Sequence, residues 1–222
     1  MHERVKLGPP HTACDEIKST KERTTMELND VMRLRRSVYG LDRNITVDDS
    51  EIVRLVEEAL LHTPTGFNSQ GPRAMLMLGK GHDRLWSITL EALRKIVPPA
   101  AFKSTEDKIK SFAGAYGTIL FFEDEAVVKN LQENYALYAS NFPIWATQSN
   151  GMLQQTVWFG LTQAGLGASL QHYTELIEEE VRKEFDIPSN WKMTAQMPFG
   201  NPIAQPAAKD FAPLENRFKV VN

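Results

Sequence analysis

The chain has 222 residues, 42% of them hydrophobic and 24% charged, with a formal net charge of −3. That length suits one domain of ordinary size, and the near-balanced charge argues against nucleic acid or an anionic membrane as partner. No apolar run approaches the ~20 residues that span a bilayer, no apolar signal core precedes Met26, and the single Cys14 excludes an internal disulfide framework and any multi-cysteine metal site. A cytoplasmic enzyme is the simplest reading of these bounds.

Residues 1–25 are polar, carry Pro9-Pro10 and show no sustained apolar period, so they are predicted to form a loose extension ahead of a domain at 26–222. Met26 is a plausible alternative start. From Leu28 the pattern turns helical, with Leu28, Val31 and Met32 at i, i+3 and i+4 and Arg35-Arg36 at the end. A second helix is predicted from Thr46 and Asp49, which resemble a capping box, followed by the stripe Ile52, Leu55, Val56, Ala59 and Leu60. A dense loop signal at 64–72 leads to a short buried strand at 74–78, closed by Gly79-Lys80-Gly81.

A helix over 83–97 stops at Pro98-Pro99, and a shorter helical piece precedes a second strand at 116–122. The stretch 144–164 predicts a long helix apolar around much of its circumference, which belongs in a core or an interface. Gly165-Leu166-Gly167 ends it, with a short strand at 168–171 and a helix at 175–185 to follow. Met193, Ala195, Met197 and Phe199 alternate as a half-buried strand, and the proline-bearing tail from 200 reads as an extended arm that can end in a strand at 218–221. The order is α+β, not a regular βαβ array, and Gly-Leu-Gly alone does not make a dinucleotide fingerprint.

Three segments could carry chemistry. Arg35-Arg36-Ser37 offers two guanidiniums and a hydroxyl for a phosphate, although cations at a helix C-terminus serve the helix dipole equally well. Asn68-Ser69-Gln70 supplies donors and acceptors suited to a heterocycle edge, or simply a turn. The small residues before Leu170-Gln171-His172 let a flat ligand approach the backbone, or let a helix pack closely on a strand. His172 has no Ser or Cys nucleophile placed to use it, and the five histidines show no metal-binding spacing.

Taken together, Arg-Arg-Ser, Asn-Ser-Gln, Gly-Leu-Gly-Ala-Ser-Leu-Gln-His-Tyr, and Met197-Pro198-Phe199-Gly200-Asn201-Pro202 with Lys209 resemble the FMN-dependent nitroreductases in order and spacing. The resemblance runs over 27–221. Its Leu-Gln-His-Tyr wording is most similar to a compact branch of bacterial and fungal stress-associated members. It implies a three-layer α+β sandwich with a mainly antiparallel sheet, dimeric and with an extended C-terminal arm. It assigns Arg35, Arg36 and Ser37 to the FMN phosphate, ribityl chain and pyrimidine edge, and Leu170, Gln171 and His172 to the ring near N5. It assigns Lys209, and Arg217 as a second candidate, to the phosphate. Asn68, Ser69 and Gln70 match a loop expected to reach the flavin of the partner subunit.

Four positions depart from the pattern of the family. Tyr39, expected among the flavin contacts, stands where many relatives have Lys or Arg. Phe211 replaces a second phosphate-binding Arg of some relatives, and Gly71-Pro72 replaces the common Pro-Trp.

The function implied is transfer of electrons from NADH or NADPH, through FMN, to nitroaromatics, quinones or similar electron-poor rings in a homodimer, with ping-pong kinetics. The cofactor does the difficult chemistry, so no catalytic side chain and no metal is expected. Tyr138, Phe142 and Trp145 are candidates for an aromatic-walled substrate slot, or for dimer-interface core. Rival readings are a hydroperoxide or free-flavin reductase, a flavin-binding sensor or storage protein with little turnover, and an α+β protein without cofactor.

Overall fold

The computed structural model describes residues 26–221; the predicted extension at 1–25 lies outside them. In chain order the elements are α1 (Leu28–Leu34), β1 (Leu41–Asp42), α2 (Asp49–His62), β2 (Pro72–Leu78), α3 (Gly79–Ile96), α4 (Phe102–Ala113), β3 (Gly117–Asp124), α5 (Glu125–Asn134), α6 (Phe142–Gln163), β4 (Gly167–Ala168), α7 (Thr174–Glu184) and β5 (Trp191–Pro202). The strands form one sheet in the order β1-β5-β3-β2, with β4 also on β5, and every strand-to-strand pairing is antiparallel. The α+β sandwich implied by the resemblance is therefore present.

Strand β3 explains the layering. All eight of its residues are buried, and side chains alternate across a sheet, so Ile119 and Phe121 enter one core while Leu120 and Phe122 enter another. The first core is closed by Ile52, Val56 and Ala59 of α2 and by Leu153, Val157 and Leu161 of α6. The second takes Leu85 and Trp86 of α3, Ile109 and Phe112 of α4, and Ile177 and Val181 of α7. Full burial of one such large apolar side chain stabilises the fold by about 1.5–3 kcal/mol.

Strand β5 changes faces partway. Ala195, Met197 and Phe199 lie in the first core, but Met193 lies in the second. The register shifts between Phe121 and Phe122, whose partners are Ala195 and Met193, so Thr194 is an extra residue that reverses the alternation. Strand β5 is thus not the half-buried strand predicted from its spacing. It is covered on both faces from Ala195 to Gly200.

Other differences are local. Asp48, not Thr46, caps α2, and its side chain makes no capping hydrogen bond. Asp49 instead accepts from the Tyr116 hydroxyl at 2.6 Å. Gly79 does not close a loop but turns the chain with φ 51° directly into α3. The arm contains a 3-10 turn, Leu214–Asn216, and no strand at 218–221. Among the described residues no helix is long and apolar enough to cross a membrane.

Candidate functional site

Helix α1 ends because Arg35 adopts extended angles (φ −61°, ψ 106°) after donating its N–H to Val31 O. The chain then lies along the sheet edge. Ser37 bridges Ala168 in parallel, Val38 N–H donates to Ala168 O at 2.9 Å, and Gly40 O accepts from Ile203 N–H at 3.0 Å. These bonds carry the Arg-Arg-Ser triplet between β4 and the start of the arm. Arg36 Nη2 donates to Ala207 O at 2.8 Å, which ties the triplet to the arm directly.

Two adjoining clefts result. One, of about 580 Å³, is lined by Arg35, Arg36, Ser37, Tyr39 and the arm through Lys209. The other, of about 920 Å³, is lined by Arg33, Arg35, Arg36, Lys209, Phe211 and Arg217. The four cations predicted to contact FMN, Arg35, Arg36, Lys209 and Arg217, line one cleft, and Arg33, which sequence reasoning missed, joins them while paired to Asp30 at 3.0 Å. The Arg35 guanidinium lies 4.5 Å over the Trp158 ring, and burial followed by the neighbouring charge of Arg36 lowers its pKa from the ordinary value. Trp158 Nε1 is buried and has no hydrogen-bond partner among the described residues.

The predicted ring-contacting residues follow β4 along the same edge. Ser169 N–H donates to Pro198 O and Gln171 N–H to Gln196 O, so alternate peptides point into the sheet. That alternation turns the intervening Leu170 and His172 peptides outward. Gln171 itself is buried, its amide donating to Ser169 Oγ at 3.0 Å, so its side chain braces this edge. The departure at Tyr39 is visible: its half-exposed ring tilts toward Phe112 at 6.3 Å and supplies no cation.

Asn68, Ser69 and Gln70 sit elsewhere, in a short loop after α2. Phe67, Asn68 and Gln70 have φ of 59°, 51° and 50°, left-handed angles that each disfavour a non-glycine residue by roughly 1–2 kcal/mol. The loop holds these angles by internal bonding: Asn68 N–H to Thr65 O, Ser69 N–H to Gly66 O, and Gln70 N–H to Thr65 Oγ1. Phe67 anchors it, with Tyr135, Phe142, Tyr138 and Trp145 all within 6.0 Å ring to ring. The structure thus assembles the three predicted slot residues beside the loop, but Phe142 is buried and forms a floor under Phe67 rather than an open wall. Phe67 and Tyr135 were not singled out from sequence.

Behind the loop lies a polar network that sequence reasoning also missed. Arg73 of β2 donates to the carbonyls of Gln70, Gly71 and Pro72 at 2.5, 3.1 and 3.2 Å and pairs with Asp124 at 2.7 Å. Glu123 is buried next to it and accepts from Asn150 Nδ2 at 3.1 Å. Asn150 in turn accepts from Gln154 and Thr194 at 2.8 and 2.9 Å. Burial raises the Glu123 carboxyl to about 7, against the lowering influence of Asn150 and Arg73. The cavities lined by Arg35 and those lined by residues of the 65–71 loop share no residue, so one chain presents two separate groups.

A profile described as "Nitroreductase family" matches residues 32–201. The chain is 34% identical to nitroreductase FRM2 of Saccharomyces cerevisiae over 80% of this chain and 89% of that protein. It superposes on nitroreductase CinD from Lactococcus lactis, solved in complex with chloramphenicol, with a TM-score of 0.81 and 41% identity, covering 88% of this chain and all of that one. A Desulfovibrio desulfuricans chain solved in complex with FMN shares the fold at a TM-score of 0.65 and 19% identity, over 87% of this chain and 96% of its own.

Proposed function

The chain belongs to the nitroreductase family, an oxidoreductase family, and from that premise we propose that it binds FMN in a site completed by a second copy and passes electrons from NADH or NADPH to nitroaromatic or similar electron-poor rings. The observation that carries this reading is the convergence of Arg35, Arg36, Lys209 and Arg217 on clefts beside the outward-facing peptides of Leu170 and His172. The guanidiniums and the ammonium suit a phosphate, and the free edge of peptides suits the hydrogen-bonding rim of a flat heterocycle. FMN, when bound, supplies the redox chemistry; the protein binds, orients and shields it.

A shared site accounts for the separation of the two residue groups. The loop with Asn68, Ser69 and Gln70 would serve the cleft of the other copy, bringing Tyr138 and Trp145 to the open face. Exposed apolar residues along α6, such as Ile144 and Met152, and along the arm, such as Phe211, Leu214 and Phe218, support such a homodimer because they lack cover in one chain. The CinD complex with chloramphenicol supports the nitroaromatic acceptor class. One space serving donor and acceptor in turn gives ping-pong kinetics, with solvent supplying protons.

The test is anaerobic titration of FMN-loaded protein with NADH and with NADPH, then addition of a nitroaromatic. Bleaching of the flavin absorbance followed by its return is expected. Oxidised flavin that persists under excess of both donors rejects the reductase reading, and a protein that takes up no FMN rejects the cofactor.

A further inference from the structure

The loop that carries Asn68, Ser69 and Gln70 holds three left-handed non-glycine residues, and one buried acid lies directly beneath it. A Cβ built on Gly71 would overlap Glu123 Oε1, so the carboxyl fills the space that any other residue at 71 would need. Glycine and the buried acid thus occupy the space together. Glu123 is also held from behind by Asn150 of α6, whose amide bonds both the Glu123 carboxyl and Phe122 O.

We propose that Glu123 is the positioning residue of this loop, coupling α6 through Asn150 to the backbone at Gly71 and so holding Asn68 and Gln70 in their left-handed conformation. The inference rests on the reading above only in what the loop is for; the mechanical role stands on the contacts themselves.

The groups around Glu123 define how it responds to pH. Arg73 of β2 favours its charged form, and Asp124, next in β3, opposes it. Lys192, opposite Glu123 on β5, lies 4.0 Å from Glu125, and α5 presents the apolar Val127. Burial outweighs these, so the seated carboxyl keeps its proton up to about 7. A carboxyl released to water when the loop opens has an ordinary pKa and loses that proton. Rising pH therefore favours opening, and between about pH 6 and about pH 8 the open fraction should grow roughly ten-fold.

Hydrogen exchange of residues 65–71 in the unliganded protein, corrected for intrinsic chemistry, reads this directly. In the wild type, exchange should accelerate roughly ten-fold over that range. Glu123→Gln, which keeps the shape and cannot titrate, should remove the acceleration. Gly71→Ala, which intrudes on the seat, should raise exchange at both pH values and lower FMN retention. A flat wild-type profile overturns the proposal, as does equal acceleration in wild type and Glu123→Gln, or wild-type protection in Gly71→Ala. FMN uptake by the wild type is measured alongside. If it takes up none, the flavin reading fails, while the exchange profiles still decide the role of Glu123.

Discussion

Both Arg36 and Arg73 are half-buried, but Arg36 reaches Ala207 O at the sheet edge, whereas Arg73 donates to three successive carbonyls and pairs with Asp124. The two arginines sit in the two halves of the candidate site, and their surroundings differ throughout. The Arg35 cleft is walled by long cations and by an arm whose residues from Lys209 onward are exposed. The 65–71 loop is short and crowded with internal bonds, and it is wedged between an aromatic cluster and a buried acid. One half is electrostatic and open, as the proposed binding of a charged ligand requires. The other is strained and preformed, its polar groups held at fixed angles.

This contrast can be broken by three substitutions. The largest effect is expected from Arg73→Ala, which strips the loop carbonyls and leaves Asp124 without its guanidinium. It should destabilise the fold by about 2–4 kcal/mol in urea unfolding, since removing one member of a partly buried charged network leaves the other uncompensated. Arg36→Ala should leave the unfolding midpoint nearly unchanged but weaken FMN about 10–100-fold in a fluorescence titration, the value of one or two charge-assisted bonds. Equal stability losses in both variants would erase the distinction. The smallest effect sharpens it: Gln70→Gly relieves a left-handed residue and should raise stability by about 1 kcal/mol in thermal unfolding while weakening cofactor binding. A loss of stability there would mean the loop angles are not strained.

The main body of the fold was legible because its elements bury long, periodic faces. Helix α2 shows its stripe from Ile52 to Ala59, and β3 shows its apolar run. Helix α5 went unseen because it buries none of its residues and its cap, Asp124, lies at the very end of a strand. Two-residue β1 offers no period at all. The face change in β5 depends on Thr194 being skipped in the pairing with β3, a property of two strands together that one strand's spacing cannot show.

The candidate site divides in the same way. The Arg-Arg-Ser triplet, Leu170–His172, Lys209 and Arg217 were visible through the wording of a family, and the structure brings them to one edge. Glu123, Arg73 and Asn150 were not visible, because their roles arise where β2, β3 and α6 meet. One signal existed: Glu123-Asp124 ends an apolar run with two acids, and β3 buries both of them.

Leu170 and His172 turn their peptide groups toward the open edge of the sheet. What the main chain offers is the same whichever residue other than proline occupies the position. On the proposed reading, a library varied at 170 and 172 would change the side chains near the flavin and keep the main-chain donors and acceptors that face it. Acceptor range and cofactor hold would, on the proposed flavin-binding reading, be separable traits, the first free to drift while the second stays fixed.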